Sequence, residues 1–432
     1  MKEKSLRSRA QKSSAFLKKA QRIIPLGSQM FSRSYMQWIK GVAPLYVKNA
    51  KGAHLWDIDG NEYIDYINSL LAVILGYQYP AVDKAISAQM KKGISFSLSS
   101  TLEYDLSQLL IKHIPSAEMV RFAKNGSDAT TGAIRLARAV TGRDHVAACG
   151  YHGWHDWYIG ATTRNLGVPG TVCKMTHLFK YNDLDSLEKI LKRYKCAAVI
   201  MEPMNYIEPE TGFLEGAKRL AHKYGALFIF DEIITGFRFH IGGAQKLFGV
   251  TPDLSTFGKS MSNGMPISAL VGKREYMEKV KDIFYSFTFS SETLSIAAAI
   301  ATIKEMETKP VTKTIWTNGA RLQGTVNALI EKENMEETLS VVGKPCWQVF
   351  SIKGTKKYSP LHIKTYIQQE LLRRNILWYG QHNMSYSHTK KDLDKTIVAY
   401  KEIIPLLGEV IRRNRLEQKL EGGLISDIFK VR

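Results

Sequence analysis

Cysteine is scarce in this sequence. Its four thiols, Cys149, Cys173, Cys196 and Cys346, show no CxxC spacing, which argues against a disulfide scaffold and a zinc site and fits a reducing cytoplasm. Long apolar runs are missing as well: none approaches 18 residues, so the sequence predicts no membrane span. The start, MKEKSLRSRAQKSSAFLKKAQRII, lacks the apolar stretch of a secretory signal. Within it Phe16, Ala20 and Ile23 to Ile24 recur at roughly helical spacing, which predicts an N-terminal helix docked on the body. Acid is short relative to base, 40 Asp and Glu against 60 Lys and Arg, for a formal charge of +20. Such an excess can attract nucleic acid, acidic lipid or phosphorylated substrates. Here the positive residues are spread along the whole chain without a zinc-finger or RNA-recognition signature. They read as a solvated lysine-rich surface with no nucleic-acid partner, whose field would still favour an acidic substrate.

What is present is the pattern of a large α/β enzyme. The segment PLYVKNAKGAHLWDIDGNEYIDYIN, from about residue 45 to 67, reads as short strands with a turn at Asp59-Gly60-Asn61. After Gly76, amphipathic helices alternate with short apolar strands such as HVAACG (145–150), CAAVIMEP (196–203) and ALFIFDE (226–232). Continuous apolar strands between helices indicate a mostly parallel sheet covered on both faces. Beyond about residue 305 the chain is helix-rich, then mixed, and ends in the long helix DLDKTIVAYKEIIPLLGEVIRRN. The expected organisation is an N-terminal segment (1–70), a large domain (71–305) and a C-terminal segment (306–432), the two outer pieces joining into a smaller α/β domain.

Three segments hold residues suited to chemistry. Asp231 stands where an apolar strand ends, the place at which open α/β sheets bind ligands. It reads either as a solvated strand-end acid or as a buried carboxylate, which needs a cationic partner such as a protonated pyridine nitrogen. Lys259 follows a second short strand in FGKS; a Walker A loop is excluded because Asp253 stands where its first glycine would be. A surface lysine is one reading. A desolvated lysine with a nucleophilic amine, able to condense with an aldehyde, is the other. The run Asn125-Gly126-Ser127-Asp128 opens a strongly helical segment. Its free N–H groups and the Ser127 hydroxyl suit a phosphate, and Ser127 or Asp128 would equally serve as N-cap. Tyr151 and His152, in YHGWHDWY, offer a flat ring surface for stacking; His152 and His155 lack the further ligands of a metal site.

Taken together and in this order, these segments resemble the class III aminotransferases of pyridoxal-phosphate (PLP) fold type I, especially glutamate-1-semialdehyde aminomutase and its aminotransferase relatives. The resemblance rests on LWDIDGNEYIDYINS, NGSDATTGAIRLARAVTGR, YHGWHD, MEP, GALFIFDEIITGFR, PDLSTFGKSMSNGMPISALVGK, FTFSSETLSIAAAIATI and SHTKKDLD, and covers most of residues 40 to 395. It implies a large domain with a seven-stranded, mostly parallel sheet and a PLP cofactor carried by Lys259 as a Schiff base. Asp231 would partner the pyridine nitrogen, Ile233 pack behind the ring, Asn125, Gly126 and Ser127 form the phosphate loop, and Tyr151 beside His152 stack on the ring. Glu202 matches the family's EP glutamate near the cofactor's rim, Asn205 stands for a polar residue that usually lies slightly later, and Thr288 in FTFS matches the threonine reaching the other subunit's phosphate. A homodimer with shared active sites follows. The implied activity is transfer of an amino group from a small donor to a carbonyl acceptor through a pyridoxamine form.

Several positions depart from the aminomutase pattern. Ser69-Leu70-Leu71 replaces the run that usually carries Trp, and WYGQHNMSYSHTKKD has no acid before Asp392. IGATTRNLGVPG places Arg164 near a position usually held by serine, and the EP segment is shortened. The profile is that of an aminotransferase acting on another carbonyl compound, similar to enzymes of surface-polysaccharide or specialised-metabolite pathways. The alternatives are the aminomutase itself, or another PLP activity such as epimerisation or decarboxylation. A non-enzymatic binder would leave Asp231, Lys259 and the phosphate loop without a role.

Overall fold

The computed structural model describes residues 5–426, which divide into two units. One takes residues 5–70, 75–79 and 313–426; the other takes 71–74 and 80–312.

In the first unit the Tyr- and Trp-bearing segment near the N-terminus forms β1 (Val47–Lys51), β2 (His54–Asp57) and β3 (Glu62–Asp65), an antiparallel meander. The Asp59-Gly60-Asn61 turn joins β2 to β3 as its composition requires: Asp57 Oδ1 accepts the Asn61 N–H at 2.8 Å, and Gly60 takes a φ of 90°. The expected N-terminal helix forms over Gln11–Ala20, but its docked face differs from the one that periodicity indicates. Ser13 and Ala20 are buried, whereas Phe16 is 48 % exposed and Ile23 83 %. The helix stops at Ala20, before Pro25, so Ile23 falls outside it, and Phe16 makes only an edge contact with Tyr46, ring centres 4.6 Å apart.

The second unit carries β4 (Met119–Ala123), β5 (His145–Cys149), β6 (Thr176–Leu178), β7 (Cys196–Met201), β8 (Leu227–Asp231), β9 (Leu254–Phe257) and β10 (Ser268–Gly272). They make one seven-stranded sheet in the order β4-β10-β9-β8-β7-β5-β6. Only β10 is reversed, lying antiparallel to β4 and β9. Its central strands β7 and β8 are buried throughout, which is why they read as continuous apolar runs. Successive residues serve opposite faces: Ile229 packs with Ile134 and Leu136, and Phe228 and Phe230 with Leu187, Leu214 and Ala217. The chain then returns to the first unit as β11 (Leu339–Lys344), β12 (Trp347–Ile352), β13 (Ile376–Leu377) and β14 (Gln381–Asn383). There β13 pairs parallel to β3, a helix runs over Pro360–Arg373, and the expected long last helix forms over Lys390–Arg412.

Candidate active site

The site lies in the second unit, at the carboxyl ends of β8 and β9, which are adjacent and parallel. Asp231 ends β8 and is 4 % exposed, so the apolar strand carries it into the interior rather than into solvent. A carboxylate there is tolerable only with donors around it. His152 Nδ1 lies 2.8 Å from Oδ2, while the Ile233 N–H (3.1 Å) and the Thr256 hydroxyl (3.3 Å) reach Oδ1. Since an ionised carboxylate only accepts, His152 donates from Nδ1. Its Nε2 is buried and has no hydrogen-bond partner among the described residues.

Lys259 follows β9 by two residues and takes left-handed backbone, φ 43°. Gly258 before it is a close-approach position: a Cβ there would stand 3.2 Å from Ile233 Cδ1. Burial brings the Lys259 amine down to about 8; the Glu202 and Asp231 carboxylates oppose that fall and Arg238 adds to it. Burial pushes Glu202 up to about 7, helped by Asp231 and resisted by His152, the Tyr151 N–H and Lys259. Glu202 follows β7, where Oε2 accepts the Tyr151 N–H at 3.0 Å.

The third element is the helix Gly126–Thr141. Its N-cap is Asn125 rather than Ser127 or Asp128. The chain turns helical earlier than composition alone suggests, with Asn125 extended (φ −106°) and Asp128 reaching back to the Asn125 N–H at 2.7 Å. This leaves the Ser127 hydroxyl to face the YHGW loop, where it accepts the Trp154 N–H at 3.2 Å. Gly153, φ 103°, is required there, because a Cβ would stand 2.2 Å from Ser127 Oγ. Thr130 ties the two segments, donating to the Ser127 and His152 carbonyls at 3.1 and 2.8 Å. By position in the helix, the Gly126 and Ser127 N–H groups have no intrahelical acceptor. Ile233 packs against this turn so closely that a Cβ on Gly126 would meet three of its carbons at 3.1–3.2 Å.

Asn125, Gly126, Ser127, Tyr151, His152, Glu202, Asp231, Ile233 and Lys259 are thus linked by contacts or by their fields. Two expected residues stand outside this group. Asn205 engages its own loop, Oδ1 accepting the Ile207 N–H at 2.7 Å. Thr288 is exposed on a turn of the FTFS segment. Thr256, a third donor to Asp231, is absent from the sequence reading. Its signal is register: β9 sets Thr256 opposite Asp231, a pairing visible only once the strand neighbours are known.

The residues fit PLP. They supply a desolvated amine for an aldehyde, a buried carboxylate for a pyridinium, and a helix start with a serine hydroxyl for a phosphate. The family described as aminotransferase class-III matches residues 35–365. A 3-aminobutyryl-CoA aminotransferase of Cloacimonas acidaminovorans is 38% identical over 403 residues, 90% of this chain and 96% of the relative. A glutamate-1-semialdehyde 2,1-aminomutase of Syntrophomonas wolfei is 38% identical over 425 residues, again 90% and 96%. Among solved structures, the PLP internal aldimine form of the FumI protein of Sphingopyxis sp. MTA144 superposes with a TM-score of 0.85 at 27% identity, covering 94% of this chain and 98% of that one.

Proposed function

The chain belongs to the class-III aminotransferase family and is a PLP-dependent enzyme that moves an amino group from a donor to a carbonyl acceptor, and on that premise we propose the following division of labour among its site residues. When bound, PLP supplies an electron sink conjugated to the carbon that carries the migrating amino group. Asp231 would receive the pyridinium N–H, and His152 would hold that carboxylate in place by its 2.8 Å contact. The Gly126 and Ser127 N–H groups and the Ser127 hydroxyl would take the phosphate, Ile233 would form the apolar floor, and Tyr151 would stack on the open face. Glu202, a carboxyl drawn up to about 7, holds a proton at the rim near neutral pH. Lys259 bears the cofactor and moves a proton at the substrate carbon. With its amine at about 8, roughly a tenth is uncharged at pH 7, enough for a nucleophile and base.

The observation that carries this reading is the convergence, at the ends of two adjacent parallel strands, of a desolvated lysine and a buried carboxylate held by a histidine. Borohydride reduction of purified holoenzyme, followed by peptide mapping, should leave the cofactor covalently on Lys259. An adduct on another lysine would overturn the assignment.

The substrate screen starts from the relatives' own substrates, 3-aminobutyryl-CoA and glutamate-1-semialdehyde. Amination of an added carbonyl acceptor by amine-loaded enzyme marks a transferase. Turnover of glutamate-1-semialdehyde alone, with no acceptor added, marks the aminomutase. The run Ser69-Leu70-Leu71, which lacks the usual Trp, and the acid-free stretch Trp378–His388 favour the transferase. The working unit is a homodimer in which Thr288 serves the partner's phosphate. The setting is the cytoplasm, in keeping with cysteines that form no disulfide among the described residues; among the described residues no helix is long and apolar enough to cross a membrane.

A further inference from the structure

Four consecutive residues, none of them glycine, hold left-handed backbone: Asn68 (φ 47°), Ser69 (50°), Leu70 (61°) and Leu71 (72°). A Cβ disfavours that region, and such a run persists only where its surroundings over-determine it. At its end the Leu71 carbonyl accepts from two side chains of the second unit, Ser260 Oγ at 2.9 Å and Arg238 Nη2 at 3.2 Å. Both donors are fully buried, so neither bond is exchanged with water.

Ser260 is the residue next to Lys259, which itself takes φ 43°. On the amino side of Lys259 the backbone is confined by Gly258 against Ile233. The Met261 N–H closes the turn on the Gly258 carbonyl at 3.0 Å. On the carboxyl side, the tie from Ser260 to Leu71 joins this turn to a distant stretch of chain. A lysine has no intrinsic preference for this conformation, and a long flexible side chain is positioned only as well as its backbone is held.

We propose that Ser260 is a positioning residue for Lys259: its bond to the Leu71 carbonyl locks the left-handed turn from which the lysine side chain departs. The lock serves two strained sites at once, since the same bond satisfies the carbonyl that ends the run 68–71. It also accounts for a hydroxyl beside the lysine, in a place that could otherwise be filled by an apolar side chain. The proposal rests on Lys259 being the reactive amine, and its consequence is specific. With the turn released, the amine gains access to water, and the burial that holds it near 8 weakens.

The test is Ser260→Ala, in which Arg238 still donates to the Leu71 carbonyl and the fold is retained. Competitive labelling of apoprotein with acetic anhydride across pH, read by mass spectrometry of the Lys259 peptide, gives the midpoint of the amine. The expected result is a midpoint moved upward by about tenfold or more in proton concentration, toward the ordinary lysine range. In holoenzyme kcat should fall roughly ten- to a hundredfold with KM nearly unchanged, and Ser260→Thr should restore both. An unmoved Lys259 midpoint in Ser260→Ala, whatever happens to the melting temperature, would assign Ser260 to the fold alone and overturn the proposal. Failure of the cofactor assignment is separately visible, as a borohydride adduct on a different lysine.

Discussion

Asp231 and Gly126 carry the sharpest consequences at the scale of single residues. Asp231→Asn keeps the shape of the side chain and removes the charge that would face a pyridinium. Losing one partner of a desolvated charge pair costs several kcal/mol, so turnover should drop by roughly two decades or more. Near-normal turnover in this variant would place the cofactor nitrogen elsewhere. Gly126→Ala tests the packing of Ile233 on the start of its helix. The new methyl meets Ile233 carbons at 3.1–3.2 Å, an overpacking worth about 1–3 kcal/mol. Ile233→Ala removes all three of those carbons, so the double variant should be more stable than the sum of the two single changes, as a denaturant titration of all four proteins would show. The strand-end placement of Asp231 and Lys259 was legible in the sequence because the ends of apolar strands are readable. Thr256, Arg238 and Ser260 were not, because their partners lie on other segments: Asp231 across the β8–β9 register, and Leu71 far along the chain.

At the scale of elements, the central strands were the most legible feature. β5, β7 and β8 form inside the segments that apolar continuity marks, since burial on both faces leaves no alternation to misread. Helix ends were less so: the helix after β4 begins at Gly126 with Asn125 as cap, a choice among four adjacent cap-forming residues that composition leaves open. One element boundary in the first unit gives a pH dependence. His54 on β2 stands between two carboxylates, Glu62 Oε1 at 2.9 Å from Nδ1 and Asp392 Oδ1 at 3.0 Å from Nε2. Asp392 in turn closes the start of the helix Lys390–Arg412, accepting the Thr389 N–H at 2.9 Å. The hydrogen bond to Asp392 raises the imidazole above its ordinary value, with burial opposing and both carboxylate charges assisting. A group raised on folding contributes stability that is complete below its unfolded value, about 6.5, and that fades as pH rises through the folded one. The contribution should be under about 1 kcal/mol because the ring is partly exposed. His54→Gln should flatten this loss in urea midpoints taken at slightly acid and mildly alkaline pH. A midpoint that falls with pH equally in the variant would exclude His54 as its source. Asp392, held down at about 2 by His54 and Thr389 against its own burial, contributes in the opposite sense. Its share is present above about 3.9 and lost only as pH falls toward 2.

The whole molecule raises the question of what completes the site. Thr288, expected from the resemblance to reach the neighbouring subunit's phosphate, is exposed on a turn. Large apolar side chains near it are exposed. Phe284 is 81 % exposed and Phe289 59 %. The Thr293 N–H donates to the Ile94 carbonyl at 2.9 Å, which brings the exposed Ile94 and Phe96 onto a stretch tied to the same segment. Apolar side chains gathered around one segment mark an interface more often than a free surface. A two-fold homodimer would cover them with one self-complementary contact and hand each Thr288 to its partner. Cofactor that binds across the contact would then favour the dimer by mass action. Sedimentation at low protein concentration should show a dimer that PLP stabilises against dissociation. Thr288→Ala should weaken cofactor retention by one charge-assisted hydrogen bond, on the order of 1.5–3 kcal/mol. That loss should appear as a faster release of PLP on dilution, with the secondary structure unchanged. A monomer that retains PLP and full turnover at every dilution would leave Thr288 without a phosphate to serve, and the aromatic segment around it without a partner subunit to explain its exposure.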